Sequence, residues 1–265
     1  QIGWDLKAAS EGRFILGLGS QIKAHIEKRF SIPWSRPAAR MRELILAMHA
    51  IWRSWNEGEK LDFRGEFYTH TLMTPFFSPG PNPHGVPKVL LAAVGEKMTE
   101  VAGEVADGML VHGFTTERYF REVTLPALDR GLAKAGRTRE GFTLSCPVFI
   151  ITGTTDDEIA QARFGVCQQI SFYGSTPAYR GVLELHGWGD LQTELNTLSK
   201  QGRWLDMGTL ITDDILEVFA ITGAPEEIPA KLLGRYGDVL DRISFYAPYH
   251  ADPDRWAAML AALHA

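Results

Sequence analysis

The sequence predicts an α/β protein built on a parallel sheet, and three observations carry that reading. Short apolar runs at 14–16 (FIL), 89–93 (VLLAA) and 109–112 (MLVH) are each followed by glycine and then by a helical pattern. The runs are continuously apolar rather than alternating, as in strands covered by helices on both faces. Strand, small-residue turn and helix repeat with no visible reversal of order, which favours a (β/α) barrel over an open sheet.

The stretch FILGLGSQI, residues 14–22, organises the rest. Gly17 and Gly19 remove bulk at the carboxyl end of the strand, and Ser20 and Gln21 place a hydroxyl and an amide where backbone can approach a ligand. Tight packing against a helix accounts for the same glycine pair. Ile22 stands where the G-x-G-x-x-G fingerprint needs its third glycine, so a Rossmann site fits poorly.

Taken in order, Ile2, Trp4, Leu6 and Ala9 read as the second half of an amphipathic helix ending near Gly12. Residues 23–30 are short and charged. Ser35, between Pro33 and Pro37, is the expected N-cap of a helix whose apolar face runs through Met41, Leu44, Ile45, Met48, Trp52 and Trp55. That face serves packing or an oligomer interface, and His49 belongs to it or to its margin. LDFRGEFY, 61–68, reads as a small hairpin around Arg64 and Gly65, and the five prolines of 69–87 make a stiff excursion of the kind that forms lids and pocket walls.

A second cycle follows: strand 89–93, the turn Val94–Gly95, and a helix over 96–106 with Met98, Val101, Ala102 and Val105 inward. A third strand, 109–112, leads through Gly113 to a helix over 116–135 buried by Tyr119, Phe120, Val123, Leu128 and Leu132. Next come strand 144–151 and a helix over 156–172 opened by Thr-Thr-Asp-Asp-Glu, a start signal. Residues 174–213, rich in Gly, Tyr, Trp and His, break the rhythm as an insertion with helical patches near 180–185 and 191–204. Regularity returns at 220–223, with a helix capped by Thr222 or Pro225 and ending near Tyr236, strand 243–246 and a last helix over 253–263. Five barrel strands are legible, beginning near Phe14, Val89, Met109, Leu144 and Ile243, where a closed barrel needs about eight.

With 265 residues, 45% of them hydrophobic, the chain has enough material for one sizeable core. A net charge of −5 without a Lys/Arg cluster speaks against nucleic acid, and no apolar run approaches the length of a membrane span. Cys146 and Cys167 lack metal or disulfide-framework spacing, which makes a reducing cytoplasm the expectation. No histidines stand at H-E-x-x-H spacing, so no metal is expected, and neither a G-x-S-x-G elbow nor a P-loop is present. Among single histidines, His112 is well placed at a strand end beside Gly113, with a structural role as the alternative. His25, His70, Tyr173, Tyr179 and His186 are candidate pocket walls, with a solvated surface position as the alternative for each.

Three segments together carry a family resemblance: FILGLGSQIKAHIEKRFSIPWSRPAARMREL, VPKVLLAAVGEKMTEVAGEVADGMLVHGF and FAITGAPEEIPAKLLGRYGDVLDRISFY. In this order they resemble the luciferase-like monooxygenase family of flavin- and deazaflavin-dependent oxidoreductases, above all its methylene-tetrahydromethanopterin reductase-like branch. The resemblance implies a (β/α)8 TIM-barrel fold, α/β in class, over residues 1–265 as one domain, with excursions at about 61–87 and 174–213. It also implies that the first three strand–helix units are lacking, more as a missing N-terminal portion than as a natural truncation, since a five-strand remnant would expose two sheet edges. Catalytic acid–base groups are then expected before Gln1.

Carried over residue by residue, the resemblance places the cofactor against Gly19, Ser20 and Gln21, against Ala92, Ala93, Val94 and Gly95, and near His112 and Gly113 on the phosphate side. Helix amides starting at Gly95 and just beyond Gly113 would meet an anion. The implied activity is hydride transfer between a deazaflavin, coenzyme F420, and a small organic substrate, in a homodimer. The alternatives are an FMN-dependent monooxygenase of the same fold and a non-catalytic flavin-binding or scaffold protein. Ile22 stands where sugar-phosphate dehydrogenases of the family carry a catalytic glutamate, which speaks against that activity.

Overall fold

The structure is a computed structural model that describes residues 1–264. In chain order the elements are α1 (Ile2–Ala9), β1 (Ile15–Leu18), α2 (Lys23–Lys28), α3 (Pro37–Glu57), β2 (Phe63–Arg64), β3 (Thr69–His70), β4 (Lys88–Ala93), α4 (Glu96–Val105), β5 (Gly108–Val111) and α5 (Glu117–Tyr119). They continue as α6 (Leu125–Lys134), β6 (Thr143–Ile151), α7 (Asp156–Gly174), α8 (Arg180–Glu184), α9 (Gly189–Lys200) and α10 (Trp204–Gly208). The last are α11 (Asp213–Phe219), β7 (Ala220–Thr222), α12 (Ile228–Tyr236), β8 (Arg242–Tyr246) and α13 (Pro253–Leu263). Two compact units result, Gln1–Leu110 with Pro126–Thr143, and Val111–Leu125 with the residues from Leu144 onward.

In the first unit β1 runs parallel to β4, in register from Ile15 opposite Lys88 to Leu18 opposite Leu91, and β5 flanks β4. Val89, Leu90 and Leu91 are buried, as the continuous apolar run predicts. The apolar stripe of α3 buries Met41, Ile45, Trp52 and Trp55, and Trp4 of α1 meets Trp55 edge-on with ring centroids 5.4 Å apart. Helices α4 and α6 touch backbone to backbone: a Cβ on Gly103 would come within 2.5 Å of the Leu128 carbonyl oxygen, and one on Gly131 within 2.0 Å of that of Glu100.

In the second unit β6 pairs in parallel with both β7 and β8, its end with β7 and its first half with β8. The main apolar cluster includes Phe114, Phe149, Val166, Ile170, Leu183, Leu216 and Phe219, and a smaller one joins Leu195, Leu198 and Met207. The start of α7 follows the capping-box pattern: Thr155 Oγ1 accepts the Glu158 N–H, and the Glu158 carboxylate accepts the Thr154 N–H.

Several local expectations are corrected. Strand β1 is half-buried with Gly17 exposed, not buried on both faces, and among the described residues it is an edge strand paired with β4. A sixth strand, β7, joins the five read from sequence; at three residues it is too short to show a period. Ser35 does not cap α3. Arg36 holds that position in a left-handed conformation before Pro37, and Ser35 Oγ accepts from Arg40 Nη2 at 2.7 Å. Neither Thr222 nor Pro225 caps α12, whose N-cap is Glu227. The helix expected at 116–135 begins at Glu117 and widens into a π-turn over Phe120–Thr124, ahead of Pro126, which lacks the N–H that an α-turn would use there. Ile2 and Leu6, expected on the apolar face of α1, are 77% and 43% exposed.

The hairpin forms, but its turn lies at 65–68 rather than at Arg64–Gly65. A long-range contact decides this. The Glu43 carboxylate on α3 accepts the backbone N–H groups of Glu66, Phe67 and Tyr68 at 2.9, 2.6 and 2.6 Å. A Cβ on Gly65 would lie 2.1 Å from Glu43 Oε1, so glycine is what admits the carboxylate. Replacing Glu43 with Ala strands three amides and should destabilise the chain by about 1–3 kcal/mol. Urea denaturation together with faster proteolytic cleavage within 61–87 measures it, and Glu43→Gln should recover part of the loss.

Candidate active site

The residues expected at the cofactor fall into two sets, one in each unit. In the first unit the parallel register carries Gly19 beside Ala92: a Cβ on Gly19 would lie 3.4 Å from that of Ala92. Ala92 and Gly95 are exposed, Val94 is half-buried and Ala93 is buried. Gly95 is the N-cap of α4, and a Cβ there would meet nothing within 4 Å. At Gly19 and Ala92 the ends of β1 and β4 therefore expose backbone and one methyl. Glu96, in the first turn of α4, is drawn to Arg130 Nη2 at 2.6 Å.

Ser20 and Gln21 turn onto their own backbone. Ser20 Oγ donates to the Gln21 carbonyl at 3.1 Å, and Gln21, at φ 59°, accepts the Ile22 N–H on its own Oε1 at 3.2 Å. His25 and His70 are half-buried on α2 and β3, and no described hydrogen bond or ring contact joins either to this set. His49 packs against Trp52, and burial lowers its pKa.

In the second unit the structure brings His112, Tyr173 and Tyr179 together. The His112 ring centroid lies 4.6 Å from that of Tyr173, edge-on, and 4.8 Å from that of Tyr179. His112 Nδ1 accepts the Phe114 N–H at 3.0 Å, which assigns the lone pair to Nδ1 and the proton to Nε2. Burial pushes its pKa down to about 4, so the ring is neutral at neutral pH. The hydroxyls of Tyr173 and Tyr246 are 2.7 Å apart, and Tyr246 stacks on Phe149 with centroids at 4.6 Å. Burial and the Tyr173 hydroxyl raise the Tyr246 pKa.

His186 stands apart from that cluster. Its Nε2 lies 2.8 Å from Thr116 Oγ1 and its ring stacks on Trp188 at 4.9 Å. Thr116 also accepts the Tyr119 N–H at 3.1 Å, capping α5. This changes the expectation of open amides just beyond Gly113, because the helix starts at Glu117 and the Thr116 side chain takes one of its first-turn amides.

Sequence reasoning missed Tyr246 and Thr116. Tyr246 is the last residue of β8, so the strand-end rule that singled out His112 would have found it. Thr116 is a favoured capping type directly before a helix. Among the described residues, no group of three or more His, Cys, Asp or Glu side chains is placed to hold a metal ion, and no helix is long and apolar enough to cross a membrane.

The sequence pattern of the luciferase-like monooxygenase family matches residues 2–242. The chain belongs to this family. An uncharacterized protein of Mycobacterium tuberculosis is 56% identical over 242 residues, 91% of this chain and 71% of the relative. The 5,10-methylenetetrahydromethanopterin reductase of Archaeoglobus fulgidus is 30% identical over 230 residues, 84% of this chain and 64% of that enzyme. Family membership extends to the fold. The crystallised coenzyme F420 dependent tetrahydromethanopterin reductase of Methanopyrus kandleri superposes with a TM-score of 0.74 at 20% identity, over 98% of this chain and 75% of the other. The chain thus has the parallel-stranded α/β fold of the TIM-barrel type.

A pH dependence of stability follows from the histidines. The folded-state pKa of His112 is lowered from 6.5 to about 4, so the unfolded chain takes up the proton first. Its contribution is complete above about pH 6.5 and is lost as pH falls toward 4, at most about 3 kcal/mol. His49 and His186 are shifted the same way and add to the slope. Urea midpoints measured between pH 7 and 4.5 should fall, and His112→Phe should flatten the decline.

Proposed function

We propose that the protein is an oxidoreductase that binds coenzyme F420 and moves a hydride between it and a small organic substrate. The observation that carries this reading is the end of β1 and β4, where Gly19 lies against Ala92 and both are exposed. Such a surface fits the approach of a planar ring system, and a side chain on Gly19 would intrude on it. In this reading Gly19, Ser20 and Gln21 with Ala92, Ala93, Val94 and Gly95 hold the cofactor. The amides that open α4 beyond Gly95 receive an anionic tail, with Glu96 held aside by Arg130. The bound cofactor supplies the hydride chemistry, while the chain supplies orientation and an uncharged surface.

The choice of F420 draws support from the archaeal reductase at 30% identity taken with the coenzyme F420 dependent tetrahydromethanopterin reductase that shares the fold, and the family pattern crosses both units, so residues 1–265 are read as one functional domain. The family's own description, a monooxygenase, supports an FMN-dependent reading as the second possibility. Ile22, in the place of an acidic residue, speaks against a sugar phosphate as substrate.

Titration of the purified protein with F420 and with FMN, followed by fluorescence quenching, decides the first point. Saturable binding of F420 is expected, and binding of neither would overturn the reading. Oxygen consumption with a flavin reductase separates the two cofactors, since a deazaflavin reacts poorly with oxygen. Ala92→Leu should weaken cofactor binding at least tenfold without changing the far-ultraviolet circular dichroism.

A further inference from the structure

The cluster around His112 has a chemical character that its place in the family does not specify. His112 uses Nδ1 to accept the Phe114 N–H, which fixes Nε2 as a donor that makes no hydrogen bond among the described residues. The ring is only part-buried, and so are Tyr173 and Tyr179, whose rings flank it at 4.6 and 4.8 Å. Tyr173 is held in place by the 2.7 Å contact between its hydroxyl and that of Tyr246.

Among the described residues, no charged side chain is hydrogen-bonded to or in ring contact with His112, Tyr173, Tyr179 or Tyr246. Burial alone moves the pKa of His112, with no charged side chain contributing. The arginines of the neighbouring segments are engaged elsewhere. Arg118 binds Glu122 and the Leu185 carbonyl, Arg121 binds Asp238 and Glu117, and Arg180 binds Glu184, Gln192 and Thr193. A phosphoryl group seated here would lose its hydration without a counter-charge, whereas an uncharged acceptor would meet a neutral N–H and aromatic faces.

We propose that His112, Tyr173, Tyr179 and Tyr246 form a subsite for a neutral carbonyl-bearing molecule, with His112 Nε2–H donating to the carbonyl oxygen and the tyrosine rings packing beside it. The subsite selects against phosphorylated ligands. It replaces the phosphate-side role expected of His112 by an uncharged one. It rests on the geometry of one unit and not on which cofactor the protein uses, so its failure would leave the cofactor reading standing.

Acetophenone and phenyl phosphate are suitable probes, matched in ring and opposite in charge. Long-range proton–nitrogen spectra of the full chain labelled with 15N-histidine, with His112 assigned by its loss in His112→Gln, report the tautomer and follow each titration. The Nε2–H tautomer is expected, with a saturable shift of the His112 nitrogens on adding acetophenone and at least tenfold weaker binding of phenyl phosphate. Acetophenone affinity should fall roughly tenfold in His112→Phe, as for loss of one hydrogen bond. An Nδ1–H tautomer, no saturable shift with acetophenone, or phenyl phosphate binding as tightly would each overturn the proposal. The wild-type titration decides the matter even if a variant fails to fold.

Discussion

The turn after β5 depends on one close approach. The backbone of Gly113 runs where a Cβ would come within 3.1 Å of Tyr246 Cδ1 and 3.2 Å of the Pro147 carbonyl oxygen. With hydrogen in that place the chain can pass between β6 and the last residue of β8, and the next residue, Phe114, is delivered fully buried into the core of its unit. From there its N–H reaches back to His112 Nδ1, and its ring stacks on Phe219 with centroids 4.8 Å apart. The tight turn thus places Gly113 against Tyr246, while the Phe114 N–H that follows it assigns the tautomer of His112. Any side chain at 113 would press on backbone at the Pro147 carbonyl, where little can give.

The first unit uses the same device differently. At Gly19 the small residue keeps a strand end bare, while at Gly103 and Gly131 it lets α4 and α6 come together backbone to backbone. Arg130 and Lys134 of α6 then meet Glu96 and Glu100 of α4 at 2.6–2.9 Å. These pairs are exposed and each contributes little to stability, but they fix where the charges of the first turn of α4 point. The consequence for function is local: the opening of α4 keeps its amides while its acidic residue is turned toward a cation.

What was legible in the sequence was whatever depends on period and on single-residue punctuation. Strand β6, helices α7 and α13 and the capping box at Thr155 follow from residues adjacent in sequence. The failures were places where a distant contact decides. The hairpin turn is set by Glu43, more than twenty residues upstream, and Ser35 is drawn off its capping role by Arg40. Strand β7 exists because the end of β6 offers it a partner, not because three residues carry a pattern. The same holds for the candidate site. His112 was visible as a histidine at a strand end, but its pairing depends on the last turn of α7 for Tyr173 and on how the segment after α7 folds back for Tyr179. Tyr246 enters through a strand some 130 residues later in the chain.

The chemistry open to the second set of residues follows from their protonation. His112 is neutral well below neutral pH, and the Tyr246 phenol stays protonated well above it, so neither exchanges a proton readily at neutral pH. Both shifts have burial as the first cause, and in both the neutral form keeps a hydrogen-bond donor, the His112 Nε2–H and the Tyr246 hydroxyl. A group in that state can orient a hydrogen-bond acceptor without carrying charge. The contribution of these side chains is therefore geometric: they offer fixed donors and aromatic faces rather than a titrating group. That arrangement suits a family in which the bound cofactor performs the redox step.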